Sequence, residues 1–147
     1  MSSVQGNMAL TISRPLFQEM LTAAQASAPL EACGMLAGTG QRATKCYILT
    51  NADASAQHYS MLPAEQFAAV KDARSHGLRM LAIWHSHPAS PARMSAEDMR
   101  LAYTPDVAYV IISLADAAGP QMRAFEVNDD TAGETPLVIE DKEVKPL

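Results

Sequence analysis

With 147 residues, 48% of them hydrophobic, the chain has the size and apolar content of one domain with its own core and fits neither a fibrous nor a disordered class. Its formal net charge of −5 argues against a phosphate backbone or an anionic membrane surface as the main partner, so neither nucleic acid nor membrane is expected. The first residues, MSSVQGNMAL, lack the basic and long apolar stretches of a secretory leader, no stretch approaches the roughly 20 apolar residues of a spanning helix, and Cys33 and Cys46 are the only cysteines, so a reducing cytoplasm is the expected compartment.

MALTIS (8–13) reads as a strand, and Ser13 followed by Pro15 marks a helix start, because proline early in a helix gives up no needed N–H. Leu16, Phe17, Met20, Leu21 and Ala24 then recur at helical spacing. CGMLAG (33–38), the turn GTGQ and KCYILT predict a hairpin; Gly38 and Gly40 lack the following G-K-[ST] of a phosphate loop. Residues 51–60 predict a loop and then a short strand, and Pro63 opens a helix that Gly77 can terminate. LRMLAIW (78–84) is a buried-strand pattern running into His85-Ser86-His87-Pro88. A helix from Ser95 to about Tyr103, strands VAYVIISL (107–114) and QMRAFEV (121–127), and a polar, acidic tail complete the chain. Strands and a few helices with hairpin-like connections predict an α/β layered domain whose sheet is mixed or mostly antiparallel. Residues 1–130 form one expected domain, with 131–147 a tail that adds one strand or stays loose.

In extended chain, residues i and i+2 point to the same side, so His85 and His87 place two imidazoles together at a strand end while Ser86 faces the other way. Imidazole is a good zinc ligand, and catalytic zinc takes three protein ligands with a fourth place for water. Pro88 ends the strand, and the chain returns through Ser95-Ala96-Glu97-Asp98, where Asp98 is a natural third ligand and Glu97 the second choice. The same S-x-x-D pattern is also a capping box, with Ser95 as N-cap and Asp98 at its third helical position. There is no H-E-x-x-H, and the deaminase pattern fails because position 87 is His and no cysteine pair follows. Cys33 and Cys46 are read as packed thiols, and Trp84 as core beside the site.

Glu31 followed by His85-Ser86-His87-Pro88, Ser95 and Asp98 (H-S-H-x7-S-x2-D) resembles the motif of the JAMM/MPN+ metalloproteases. LEACGMLAG (30–38), the Asn51 loop with HYSMLPAEQF (58–67), IWHSHP (83–88) and YVIISL (109–114) look like family segments in family order, over about residues 8–127. The resemblance is to a compact prokaryotic-type member. It implies a cytidine-deaminase-like α/β fold, a central mixed and largely antiparallel sheet flanked by helices. It implies Zn2+ on His85, His87 and Asp98, Glu31 as the base acting on water, and Ser95 as a stabiliser of the oxyanion. Family members often have proline just before that serine; here it is Met94.

The implied activity is hydrolysis of a peptide or isopeptide bond, with an extended Gly-Gly tail bound beside a sheet edge. Compact members without long insertions are associated with ubiquitin-like sulfur-carrier proteins, and the short stretch from Pro88 to Ser95 leaves no room for the insertions of deubiquitinating relatives. Two other classes stay open: a metal-free scaffold of the MPN type, and a zinc amidohydrolase acting on a small molecule. Nothing in the sequence decides the oligomeric state, homodimer included.

Overall fold

Leu10 and Ile12 are buried and Thr11 and Ser13 half-buried, the alternation of a strand with one face on the core: this is β1 (Leu10–Ser13). A computed structural model describes residues 9–104, 106–129 and 131–141, so Met8 of the expected first strand and the end of the tail lie outside the described residues. Ser13 closes β1 and caps α1 (Arg14–Ser27): its hydroxyl accepts the Leu16 N–H at 3.3 Å, with Pro15 in the first turn. Leu16, Phe17, Met20 and Ala24 form the buried face of α1.

β2 (Cys33–Thr39) and β3 (Arg42–Leu49) form the expected hairpin, turned at Gly40 with φ +58°. β3 begins earlier than the apolar run suggests, because a register shift at Ala37/Gly38 lets the ladder continue to Thr39 and Arg42. Of the short strand expected near Ser60 only an isolated bridge, Asn51 to Met61, is present. α2 (Pro63–Ser75) starts on Pro63 and stops at Gly77, φ +73°. There the Gly77 N–H donates to the Arg74 carbonyl at 3.0 Å and the Leu78 N–H to the Ala73 carbonyl at 2.9 Å, a Schellman ending. β4 (Arg79–His87) extends through both histidines. α3 (Ala96–Leu101) is shorter than expected, ending before Thr104, whose place ahead of Pro105 disfavours helical backbone.

β5 (Ala108–Ser113) and β6 (Gln121–Asn128) match their patterns closely. The tail holds two strands where at most one was expected: β7 (Thr131–Thr135) pairs with β6, and β8 (Leu137–Glu140) crosses to the far side and runs parallel to β1. Leu137 and Ile139 pack against the core, while ion pairs of Arg42 with Glu140 (2.5 Å) and Arg14 with Asp141 (2.9 Å) tie the segment down. Acidic neighbours mask this four-residue apolar alternation in composition.

The eight strands form one mixed sheet, β7-β6-β5-β4-β2-β3-β1-β8, with parallel pairs β4/β5, β3/β1 and β1/β8 and the rest antiparallel. Alternation splits each central strand between two faces. Leu36, Trp84, Val110 and Ile112 join α1 in the larger core. Met35, Ile83 and Tyr109 pack with Ala69 of α2 on the other side, the face to which His85 and His87 also belong by their spacing from Ile83. Among the described residues, no helix is long and apolar enough to cross a membrane.

Gly34 lies directly across from Trp84 in the β2/β4 ladder. A Cβ there would stand 2.0 Å from the Tyr47 carbonyl oxygen and 2.5 Å from the Trp84 indole nitrogen. Backbone on one side and a fully buried indole on the other leave no room to relax. Gly34→Ala is expected to cost about 3 kcal/mol or more, read as a lowered denaturant midpoint; a midpoint within error of the parent would show that the sheet can shift there.

Candidate metal centre

β4 delivers His85 and His87 to one place because Pro88 ends the strand immediately after them and because β2 and β5 clamp the strand from both sides, Cys33 opposite His85 and Ser113 opposite His87. Ser86, pointing the other way as expected, accepts the Ala32 N–H on its hydroxyl at 2.8 Å and donates its own N–H to the Ala32 carbonyl at 2.9 Å. This pins the residue after Glu31 against the strand that carries the histidines.

Asp98 helps cap α3 and also reaches the two histidines. Ser95 is the N-cap of α3: its hydroxyl oxygen accepts the Asp98 N–H at 3.0 Å, and Asp98 Oδ2 accepts the Ser95 N–H at 3.0 Å, a complete capping box. The same carboxylate reaches the histidines, with His87 Nε2 3.0 Å from Oδ2 and His85 Nε2 3.1 Å from Oδ1. The helix cap therefore aims the carboxylate. Glu97 instead pairs with Arg100 along the helix and takes no part in the cluster. Met94 packs against Ala92, Ile111 and Phe125, anchoring the loop ahead of Ser95 without the proline usual there.

His85, His87 and Asp98 are all buried, at 1%, 4% and 4% exposure, and offer one donor atom each within 4.8 Å of one another. The Nδ1 of His87 faces the Pro91 carbonyl at 2.8 Å and must donate to it, since a carbonyl only accepts. In the neutral ring this leaves the Nε2 lone pair pointing at His85 Nε2, 3.1 Å away, and at the Asp98 carboxylate. Three buried donor atoms converging in this way suit a cation. Donors about 2.0–2.1 Å from a common tetrahedral centre stand roughly 3.3 Å apart, close to these separations, and two imidazoles with one carboxylate are a suitable set for zinc.

The charges agree. Burial disfavours the Asp98 carboxylate, but the two imidazoles and the Ser95 N–H outweigh it and hold its pKa well below the usual range. Burial pushes His85 down. Burial also works against protonated His87, but the hydrogen bonds to Asp98 and Pro91 prevail and raise it.

Glu31 lies between α1 and β2 and is 4% exposed. One of its carboxylate oxygens, Oε1, is buried without a hydrogen-bond partner among the described residues. Burial raises its pKa from 4.5 to about 7, with His87 pulling it down and Asp98 pushing it up, so the carboxylate feels the cluster directly. Ser95 is exposed, and its hydroxyl hydrogen remains available although its oxygen accepts from Asp98. Cys33 is buried, its thiol turned to the Leu49 and Thr50 carbonyls and pushed up to about 12 by burial and by Glu31, which makes it no nucleophile. Trp84 is completely buried in the larger core.

Three neighbours escaped the sequence reading. The Pro91 carbonyl orients His87, Tyr59 stacks on the His85 ring at 4.6 Å between centroids, and the Asn51 side chain donates to the Glu31 carbonyl at 3.1 Å. Asn51 and residues 58–67 look like family segments in the sequence, but the contacts of Tyr59 with His85 and of Asn51 with Glu31 come from tertiary packing that no local spacing encodes.

The model of prokaryotic homologs of the JAB domain matches residues 13–128. The CysO-cysteine peptidase of Mycobacterium tuberculosis is 31% identical over 132 residues, 88% of this chain and 90% of that protein. The desampylase of Pyrococcus furiosus is 33% identical over 73 residues, 50% of this chain and 52% of that one. Among solved structures, protein DSY2949 from Desulfitobacterium hafniense superimposes with a TM-score of 0.83 at 42% identity, covering 90% of this chain and 94% of that one. The JAB1/MPN domain protein AF2198 from Archaeoglobus fulgidus gives a TM-score of 0.57 at 20% identity over 90% of this chain and 100% of that one, a likeness of fold.

Proposed function

Because the chain belongs to the family of prokaryotic homologs of the JAB domain, we propose that it is a zinc peptidase or isopeptidase cleaving an amide bond at the C-terminal tail of a ubiquitin-like, sulfur-carrier protein. The observation that carries the reading is the buried His85–His87–Asp98 donor cluster together with a buried carboxylate near neutral pKa, Glu31, that is coupled to it electrostatically. The substrate class is drawn from two relatives, one named for cleaving a CysO–cysteine bond and one named a desampylase.

In this reading His85 Nε2, His87 Nε2 and the Asp98 carboxylate hold the metal. Bound there, zinc would supply Lewis acidity for the scissile carbonyl and the attacking water. Glu31 takes a proton from that water on its carboxylate and passes it to the departing amine, both of which a pKa near neutrality suits. The Ser95 hydroxyl, held by its contact with the Asp98 N–H, donates to the developing oxyanion.

Binding of the tail needs one revision. The edges of the sheet are β7 and β8, separated from β4 by two and three strands, so an added strand at the site has to pair with the backbone between β4 and α3. A cavity of about 320 Å³ lies on the same face, but its walls, Met35, Val70, Leu78, Met80 and Ile83 among them, include none of the cluster residues, so it gives no support to a closed small-molecule site.

The test is intact mass spectrometry of a ubiquitin-like carrier bearing a residue amide-linked after its Gly-Gly end. The expected result is loss of that residue's mass, stopped by a chelator and restored by zinc. A protein that binds zinc and hydrolyses small amides but leaves every carrier tail intact would favour the amidohydrolase; one that takes up no metal would favour the scaffold.

A further inference from the structure

The two histidines of the cluster are oriented in different ways. His87 is fixed through its far nitrogen, which donates to the Pro91 carbonyl at 2.8 Å. His85 Nδ1 is buried and has no such partner among the described residues. Instead one face of its ring is covered by Tyr59, with 4.6 Å between centroids and 26° between planes. An imidazole that ligates through Nε2 must be prevented from rotating about its Cβ–Cγ bond, and for His85 the stacked phenol is the group in place to do so.

Tyr59 lies on a loop, and a loop residue can hold a neighbour still only if the loop itself is held. Asn51 supplies this. Its amide nitrogen donates to the His58 carbonyl at 3.1 Å, and its side-chain oxygen accepts the Ser60 N–H at 3.3 Å, so one side chain grips the chain on both sides of Tyr59. The Ala52 N–H donates to the Ser60 carbonyl at 2.8 Å, and Asp53 accepts the Ser60 hydroxyl at 2.9 Å and lies 2.9 Å from His58 Nδ1. The loop is joined to Glu31 on both sides of that residue's backbone: the Glu31 N–H donates to the Ser55 carbonyl at 2.8 Å, and the Glu31 carbonyl accepts from Asn51 at 3.1 Å.

We propose that Tyr59 is a positioning residue that fixes the plane of His85 toward the metal, and that Asn51 sets this loop in register with Glu31, so that one clamp places both a ligand and the base. The proposal rests on the zinc reading of the cluster. It assigns the effect of Tyr59 to its ring and not to its hydroxyl.

The test uses the full chain, with zinc affinity measured by chelator competition, the visible spectrum of the cobalt(II)-substituted protein, and thermal unfolding of the metal-free form. Tyr59→Phe keeps the ring and is expected to match the parent in all three. Tyr59→Leu keeps apolar volume but removes the stack; it is expected to weaken zinc binding about 10–100-fold and to alter the cobalt spectrum, with the metal-free midpoint little changed. Asn51→Leu leaves Tyr59 in place and frees its loop, so it is expected to alter the same spectrum and to lower kcat more than it changes KM. Parent-like affinity and spectrum in both Leu variants overturn the proposal, as does a Tyr59→Phe variant as impaired as Tyr59→Leu. If the parent protein takes up no zinc, the functional reading falls and the proposal with it; parent binding with unaffected variants removes the proposal alone.

Discussion

Replacement of His87 by alanine is expected to abolish stoichiometric zinc binding and to lower amide hydrolysis by on the order of 10³-fold or more. This exceeds the roughly 10–100-fold typical for residues that merely support a ligand, because the cluster offers three protein donors among the described residues and two cannot hold the ion in the same way. His87 is tied in on both ring nitrogens: its Nε2 lies 3.1 Å from His85 and 3.0 Å from Asp98, and its Nδ1 reaches Pro91. Removing it leaves the Asp98 carboxylate, 3% exposed, with one imidazole fewer, so the metal-free variant should also unfold more easily at neutral pH. The pKa of His87 is raised in the metal-free protein, so a proton competes with the metal there and zinc affinity should weaken as pH falls through that raised value. Elemental analysis and carrier cleavage, each beside a folding control, decide the matter. A folded His87→Ala protein that retains one zinc and full activity would place the metal elsewhere.

How much of this was legible in the sequence differs by residue. The two histidines could be set on one face from strand periodicity alone, because β4 keeps its alternation from Ile83 to His87. Gly77 and Ser13 announced helix boundaries through backbone chemistry that acts within a few residues. Asp98 could be read from the sequence as a cap and as a ligand together, and the two readings do not compete in space: one carboxylate accepts the Ser95 N–H and also reaches both histidines. Glu31 has no local signature, since its burial and its raised pKa arise only once β2 is laid beside β4 and the 51–61 loop closes over it. Tyr59 was illegible for the same reason. The sequence allowed for one strand in the tail but not for two, nor for the pairing of β8 with β1, because that partner lies more than 120 residues away and an edge strand of four residues among acidic neighbours carries almost no composition signal.

Glu31→Gln is expected to keep zinc while lowering kcat by about 10²–10⁴-fold, the range for loss of a positioned general base. Glutamine preserves shape but cannot accept the proton. In the parent enzyme the working form is the carboxylate, so activity should rise with pH as Glu31 ionises and level off above its pKa. The metal-free value is about 7, and a dication nearby favours the ionised form, which moves this acidic limb below 7 in the loaded enzyme. The same group makes an opposite prediction for stability. Its folded pKa of about 7 lies above its ordinary 4.5, so the fold favours the protonated acid. Relative to the unfolded chain, stability is fully present below 4.5, is lost as pH rises through the interval, and is lowest above 7. With each pK unit equivalent to about 1.4 kcal/mol, the penalty reaches about 3 kcal/mol, less whatever the buried amide of glutamine costs in its place. Metal-free Glu31→Gln should therefore be more stable than the parent at pH 8 and nearly equal to it at pH 4.5, as read from denaturant midpoints in chelator. An enzyme stabilised by losing its base would show that burial of Glu31 is maintained for proton transfer and against stability; equal differences at the two pH values would remove that conclusion, and loss of zinc along with activity would make Glu31 a ligand instead.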